Sequence, residues 1–167
     1  MDDMTVQHMR AGHAQLRLSV PLTWKNHTNL RGEAPLSNNL GLRLVIGLQV
    51  KHSKPWAPSV YILDRVNGHM AWRLDVNESH RNRKTDGRQW DGQTHVNYWK
   101  DPHGDSHAVD PWFSLPNVPA VGAAPYREVF EAFCKGSGVI FGDGYEWIDP
   151  PAPEVEPAQE STEGEVP

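Results

Sequence analysis

Alternation of apolar and polar side chains with a period of two is the feature that most constrains this fold. Every second residue is apolar from Ala14 to Trp24, and Leu40 to His52 repeats the pattern. Two further runs, Val60 to Arg65 and Met70 to Val76, flank Asn67-Gly68, a pair typical of tight hairpins because both turn residues tolerate a positive φ. The pattern predicts antiparallel strands, each with one buried and one polar face.

Only one segment has convincing helical periodicity. An apolar stripe runs from Tyr126 to Phe133, Pro125 suits a first helical turn, and Gly136 ends the pattern. A helix is therefore predicted over Pro125 to Lys135. Strands joined by hairpins and followed by one late helix indicate an α+β fold, a bent, half-barrel-like antiparallel sheet with the C-terminal helix packed on its apolar face.

The remaining segments are assigned by their turn residues and composition. Polar or Pro/Gly-rich stretches predict loops at Lys25 to Asn39 and Asp101 to Pro125, and a long turn at Glu78 to Gln93. Further strands are predicted at Thr94 to Lys100 and, as short edge pieces, at Val139 to Phe141 and Tyr145 to Ile148. The domain organisation that follows is a flexible N-terminus at 1–13, one α+β domain at 14–148, and a disordered acidic Pro/Glu-rich tail at 149–167.

Charge is distributed unevenly along the chain. The formal net charge is -5, but residues 149–167 contain six acidic residues and no Lys or Arg, which leaves the rest near +1. A near-neutral body is a poor candidate for tracking long duplex nucleic acid. No apolar run approaches membrane-helix length and the N-terminus lacks a signal-peptide core, so a cytoplasmic protein without a membrane partner is expected. The single cysteine, Cys134, excludes an internal disulfide.

The candidate site lies in the turn-rich stretch from Arg73 to Asp101. His80 and His95 form a candidate catalytic pair, because one imidazole can take a 2′-hydroxyl proton while the other protonates the leaving oxygen. Such chemistry needs neither a metal nor another cofactor. Asp75 would orient a histidine or arginine, and RNA or a nucleotide phosphate would be held by cationic, amide and aromatic side chains, namely Arg73, Arg81, Lys100, Asn97 and Tyr98.

Two other clusters permit different chemistry. His103, Asp105, His107 and Asp110 are natural zinc or manganese ligands, although they all belong to one loop. The basic run from His80 to Lys84 lies near Trp90, Tyr98 and Trp99 in sequence and could grip single-stranded nucleic acid by phosphate contacts and base stacking. The plainer alternative is that these are solvated turns and core aromatics.

The order Arg73-Leu74-Asp75, His80-x-Asn82, Asp86-Gly87 and Thr94-His95 resembles a family of short uncharacterised bacterial and mobile-element proteins. It is also similar, more remotely, to the TumE-type toxins of toxin–antitoxin pairs. The resemblance implies a strand bearing Arg-Leu-Asp, a His-x-Asn turn, a His-x-His strand and a closing aromatic helix. Asn97 replaces the second histidine of His-x-His, and an amide cannot exchange a proton near neutral pH.

The leading hypothesis is a small metal-independent RNase-like toxin or defence effector of a mobile element, with an antitoxin as a possible partner. The alternatives are a non-enzymatic protein that captures a nucleotide or blocks a partner, and a metal-dependent hydrolase. Trp72 and Leu74 are expected to be buried, while Arg73 and Asp75 share the polar face with His95. The tail is expected to be dispensable for folding, and its acidity would allow it to fold back over the basic loop as a phosphate mimic.

Overall fold

A seven-stranded antiparallel sheet forms the body of the protein in its computed structural model, which describes residues 2–100, 104–116 and 121–151. The strands neighbour one another in chain order and the sheet stays open, with the first and last of them as its edges. They are β2 (Thr23–Asn26), β3 (Asn29–Leu36), β4 (Leu44–Lys51), β5 (Lys54–Asp64), β6 (His69–Arg81), β7 (Gln89–Lys100) and β8 (Gly104–Val109).

Two helices and a small second sheet complete the described part of the fold. The helices are α1 (Asp3–Arg10) and α2 (Ala123–Gly136), and β1 (Arg17–Leu18) pairs in parallel with β9 (Ile140–Phe141). The apolar stripe of α2, which includes Phe130 and Phe133, joins the strands' apolar face in one buried core. The predicted α+β class with its C-terminal helix is confirmed. Neither helix in the described chain is long and apolar enough to cross a membrane.

The two faces of β6 differ as the alternation predicted. Trp72 and Leu74 are fully buried on the apolar face, and the Trp72 indole donates to Ser137 Oγ at 2.7 Å just beyond α2. Arg73 and Asp75 lie on the opposite face, where their register partners on β7 are Asn97 and His95. The prediction that Arg73, Asp75 and His95 share one face is confirmed.

The N-terminal region departs from its prediction. Residues 3–10 form α1, and its Val6 and Met9 are buried in the core, in the segment that the sequence analysis assigned to a flexible N-terminus. The strand predicted from Ala14 to Trp24 is interrupted before Pro21, and its two parts pair with different partners. Val20, expected on the buried face, is 42% exposed at this break.

The loop predicted at Lys25 to Asn39 is wrong, because most of it is β3. Its inward positions include Gly32 and Ala34, and such small side chains conceal the alternation that larger apolar residues would reveal. Gly32 is required by packing rather than by a turn. The Trp24 indole lies so close to it that a β-carbon at position 32 would overlap the ring.

The central hairpins are longer than predicted. The turn expected from Glu78 to Gln93 contracts to residues 82–88, because β6 and β7 extend into it, and β8 occupies part of the predicted loop at Asp101 to Pro125. At the β5–β6 turn only Gly68 of the Asn67-Gly68 pair has a positive φ, 69°. The edge piece at Val139 to Phe141 is confirmed as β9, but residues 145–148 form no strand. The predicted tail from 152 onward lies outside the described residues.

Asn82, the asparagine of His-x-Asn, covers the outer edge of β8. Its Nδ2 donates to the Ala108 carbonyl at 2.8 Å, and its Oδ1 accepts from the Ala108 amide at 2.7 Å. Asn82 is 1% exposed, and its two bonds replace those of a neighbouring strand near the C-terminal end of β8. An edge whose peptide groups are already bonded is a poorer template for pairing with another chain.

Candidate functional site

A bulge in β6 brings the candidate residues to one face. Asp75 pairs with His95 and Glu78 pairs with Gln93, so β6 has one extra residue in this interval. Asn77 lies there with a φ of 50°, a left-handed conformation that asparagine adopts more readily than most residues. Strict alternation from Asp75 would turn His80 toward the apolar face. The bulge instead puts Glu78 and His80 on the polar face with Asp75.

The Asp75 carboxylate is the centre of the site's hydrogen bonds. Oδ1 accepts from Ser59 Oγ at 2.6 Å, while Oδ2 accepts from Arg73 Nε at 2.8 Å and from Asn97 Nδ2 at 2.7 Å. Asp75 is only 5% exposed, and a buried carboxylate is tolerated when it is both paired with a cation and hydrogen-bonded. Asp75 therefore fixes side chains on three neighbouring strands, and Asn97 serves to hold the carboxylate.

His95 is completely buried beside Asp75. Its Nδ1 lies 2.9 Å from the Gln93 carbonyl, an acceptor, so the neutral ring carries its proton on Nδ1 and leaves Nε2 as an acceptor. Nε2 is 3.7 Å from Asp75 Oδ2 and has no hydrogen-bond partner among the described residues. Burial lowers the pKa of His95 below its ordinary value and outweighs the opposing effects of the Gln93 hydrogen bond and the Asp75 charge. The neutral ring is thus favoured.

Aromatic rings cover His95 on the polar face. The Trp90 ring centre is 5.3 Å from that of His95 and the His80 ring centre is 5.5 Å away. Trp90 is 1% exposed, and the Arg88 guanidinium lies 3.9 Å above its ring. His80 is half-buried and lines a cavity. A bound ligand would therefore meet His80 before His95.

The cavity in front of this cluster, here called the central cavity, has a volume of about 400 Å³. Three cations contribute to it, and each has a carboxylate neighbour: Arg31 with Glu33 at 2.6 Å, Lys51 with Glu78 at 2.8 Å, and Arg73 with Asp75 at 2.8 Å. The lining comes from four adjacent strands and consists of Arg31, Gln49, Lys51, Ser59, Tyr61, Met70, Arg73, Asp75, Glu78, Ser79 and His80.

Four of the five predicted substrate-binding residues do not line this cavity. Asn97 is on the polar face, but it is buried and its amide is bonded to Asp75. Tyr98 lies opposite Trp72 in the register, so it is on the other sheet face, where its ring contacts His107 at 5.1 Å. Its grouping with Arg73 is therefore wrong. Arg81 is exposed at the end of β6, and Lys100 lies at the far end of β7.

The residues that sequence reasoning missed come from β3, β4 and β5. Arg31 Nε donates to the Tyr61 hydroxyl at 2.7 Å, and that hydroxyl donates to Glu33 Oε1 at 2.8 Å. Burial and the bond to Glu33 raise the pKa of Tyr61, which keeps the hydroxyl protonated. Gly47 makes this possible, because a side chain there would overlap the tyrosine ring. The alternate polar positions of β4 and β5, Gln49 with Lys51 and Ser59 with Tyr61, were the available signal.

The structure describes only part of the predicted metal cluster. His103 and the side chain of Asp105 lie outside the described residues. His107 Nδ1 is 3.0 Å from Thr85 Oγ1, and Asp110 forms an ion pair with Arg88 at 3.0 Å. Within the described residues no group of three or more His, Cys, Asp or Glu side chains is arranged to hold a metal ion.

Comparison with known proteins adds no relative. No family model, curated protein or solved structure matches this chain. The resemblance to the mobile-element family and to TumE-type toxins stays a prediction. The geometry of the polar face is the observation that bears on function.

The bulge generates a stability prediction for Asn77. Replacing it with Val should lower the free energy of unfolding by about 1–2 kcal/mol, because a β-branched residue is strained at positive φ. Asn77→Gly also removes the side-chain hydrogen bond to the Trp56 carbonyl but fits the backbone, so it is the matched control. Urea unfolding measures both. Equal losses of unfolding free energy in Asn77→Val and Asn77→Gly would contradict the strain expected for Val at this position.

The buried His95 generates a pH prediction. Its pKa is lower in the folded protein than in the unfolded chain, where it is about 6.5, so the unfolded chain binds more protons in this range. The stability associated with the neutral ring is complete above about pH 6.5 and is lost as the pH falls from there toward the lowered pKa. His95→Gln should flatten the fall in unfolding free energy between about pH 7.5 and 5.

The exposed His27→Gln is the control for this measurement and should keep the wild-type pH dependence. An unchanged slope in His95→Gln would show that the buried ring does not cause it.

Proposed function

We propose that the polar face binds a phosphate-bearing ligand, a nucleotide or single-stranded RNA, in the central cavity. The observation that carries the proposal is the fixed guanidinium of Arg73. Asp75 holds its Nε and one Nη on the floor of the cavity, while Nη1 makes no hydrogen bond within the described part of the chain. A guanidinium that is already oriented loses little conformational freedom on binding an anion, and its planar donors suit phosphate oxygens.

The surroundings of Arg73 support the same ligand class. Arg31 and Lys51 approach the cavity from β3 and β4, and His80 from β6. Ser59 and Gln49 add hydroxyl and amide groups that can recognise sugar or base edges. A volume of about 400 Å³ lies within the range of roughly 300–1,000 Å³ that is typical of small-ligand sites.

Binding of a fluorescent adenine nucleotide, measured by anisotropy at low salt, tests this proposal. Arg73→Ala should weaken binding about tenfold or more, because a charged hydrogen bond contributes roughly 1.5–3 kcal/mol. Arg73→Lys should recover only part of the affinity, since an ammonium group cannot make the same planar contacts.

Arg127→Ala is the matched control, because it removes an arginine that is also paired with a carboxylate, Glu131, but lies on α2. Its affinity should equal that of the wild type. Equal affinity in Arg73→Ala, with the fold intact by circular dichroism, would refute binding at the central cavity.

A second candidate function is metal-independent cleavage of RNA by His80 and His95. The short separation of their rings favours it, together with the acceptor Nε2 of a neutral His95. In this reaction the 2′-oxygen attacks phosphorus, one imidazole accepts its proton, and the other gives a proton to the departing 5′-oxygen. Arg73 would stabilise the charge that develops on phosphorus.

Burial of His95 places a condition on this reaction. Direct proton transfer between His95 and substrate requires the cover formed by His80 and Trp90 to move. Phosphate binding requires no such movement, and for this reason capture of the ligand is the better-supported function. An RNA-cleaving protein of this kind would arrest growth when expressed, as the toxin or effector hypothesis expects, and an antitoxin would be its natural partner.

Cleavage of a fluorogenic RNA in the presence of EDTA tests the second candidate. His80→Ala and His95→Ala should each lower the rate about 10²-fold or more, and the wild-type rate should follow a bell-shaped pH curve. His13→Ala, at an exposed histidine outside the site, should leave the rate unchanged. RNA bound without cleavage by the wild type, and equally by His95→Ala, would leave capture as the function.

A further inference from the structure

A second cationic cavity lies at the β2 edge of the polar face. This edge cavity has a volume of about 470 Å³ and is lined by Thr23, Lys25, Arg31, Glu33 and Arg65. Its three cations surround one carboxylate, because both arginines form ion pairs with Glu33, each at 2.6 Å. The edge cavity therefore has two positive charges more than its own carboxylate neutralises.

The register between β2 and β3 makes this excess of positive charge unfavourable. Lys25 and Arg31 are directly opposite each other on neighbouring strands, and like charges in that arrangement repel. The Arg31 guanidinium is bonded to Glu33, but Lys25 is exposed and forms no ion pair with any described residue. An incoming carboxylate would relieve this repulsion, so the edge cavity is suited to an acidic group.

The described chain ends beside the same edge. The indole of Trp24, the neighbour of Lys25 on β2, donates to the Ile148 carbonyl at 2.8 Å, and its ring contacts Trp147 at 6.0 Å. These contacts anchor the chain at β2 a few residues before residue 151. Residue 151, the last one described before the acidic segment 152–167, follows this anchor by three residues. The anchor is on the core face of β2, opposite the edge cavity.

Composition and length make this segment a suitable occupant. It has 16 residues, no Lys or Arg, and five glutamates, namely Glu154, Glu156, Glu160, Glu163 and Glu165. Glu154 follows Ile148 by six residues, which span up to about 20 Å when extended. Passing from one face of an edge strand to the other requires roughly 10 Å, the thickness of one sheet layer, which this length covers.

We propose that the edge cavity binds the glutamates of residues 152–167 and that this acidic segment competes with anionic ligands for the polar face. Arg31 couples docking of the acidic segment to binding of the anionic ligand, because it lines both the edge cavity and the central cavity. A carboxylate drawn to Arg31 and Lys25 reduces the positive potential that attracts phosphate. The proposed docking depends on the edge cavity alone, whereas the proposed competition also depends on the ligand binding proposed above.

Docking is tested in the full chain with a nitroxide attached through Ala158→Cys. The native Cys134 is buried, so the label reacts at position 158 in the folded protein. The label should broaden the NMR amide signals of Lys25 and Arg31 much more than that of the exposed Glu128 on α2. The matched control keeps the label and changes all five glutamates to glutamine, and it should lose this selective broadening, as should the labelled protein at high salt.

Lys25→Glu provides the reciprocal change on the domain and should also abolish the selective broadening. Equal broadening around Lys25 and around Glu128, or selective broadening that survives in the glutamine control, would overturn docking by charge at the edge cavity.

Competition is tested separately with a short fluorescent oligouridylate. At low salt the five-glutamine variant should bind it about fivefold or more tightly than the wild type, within the range of ordinary coupling between sites. Equal affinities would overturn the competition. If neither protein binds the probe, the proposed phosphate binding fails, while selective broadening at Lys25 would still establish the docked segment.

Discussion

The buried carboxylate of Asp75 is the interaction on which the polar face depends. It lies in the middle of a sheet face, with little access to water, and is compensated by donors from β5, β6 and β7. Removing one donor from such a group leaves a buried charge without full compensation. This lowers the stability of the fold far more than the loss of an exposed ion pair would. The same bonds that make Asp75 tolerable fix Arg73 in the cavity. Stability and site geometry therefore have one common origin here.

The β-bulge at Asn77 determines which residues can join that centre. A sheet has only two faces, and one additional residue moves all later side chains of a strand to the other face. In this protein the additional residue turns Glu78 and His80 toward Asp75. Glu78 in turn binds Lys51 of β4, so the bulge also closes one wall of the central cavity. A left-handed residue at this point is typical of functional regions, where backbone strain is retained for the geometry it gives.

The polar face combines charges that are nearly balanced in its centre with an excess at its β2 edge. Arg31, Lys51 and Arg73 each have a carboxylate partner, whereas Lys25 has none within the described residues. Balanced pairs bind an anion through geometry, since a fixed guanidinium offers donors without a large field. An unbalanced edge attracts acidic groups at longer range, and this attraction weakens with salt. The two regions meet at Arg31, so a ligand at one affects the other.

The sequence by itself determined the fold class, the faces of β6 and the C-terminal helix. Large apolar residues at regular spacing indicate which side of an element is buried. Examples are Trp72 and Leu74 on β6 and Phe130 and Phe133 on α2. It also indicated that Arg73, Asp75 and His95 belong together, because their faces follow from the same alternation. Periodicity failed where small residues occupy the inward positions, as Gly32 and Ala34 do in β3.

Only the tertiary structure decided which side chains complete the site. The bulge at Asn77 could not be read from alternation, because nothing in the local pattern marks an extra residue. Arg31 and Lys51 enter the central cavity through strand order, a long-range property, and the register between β6 and β7 puts Tyr98 on the opposite face. Burial of His95 likewise depends on Trp90, which approaches it across a second irregularity in the same hairpin. Local sequence determines the face of each strand, whereas pairing between strands determines which residues meet on that face.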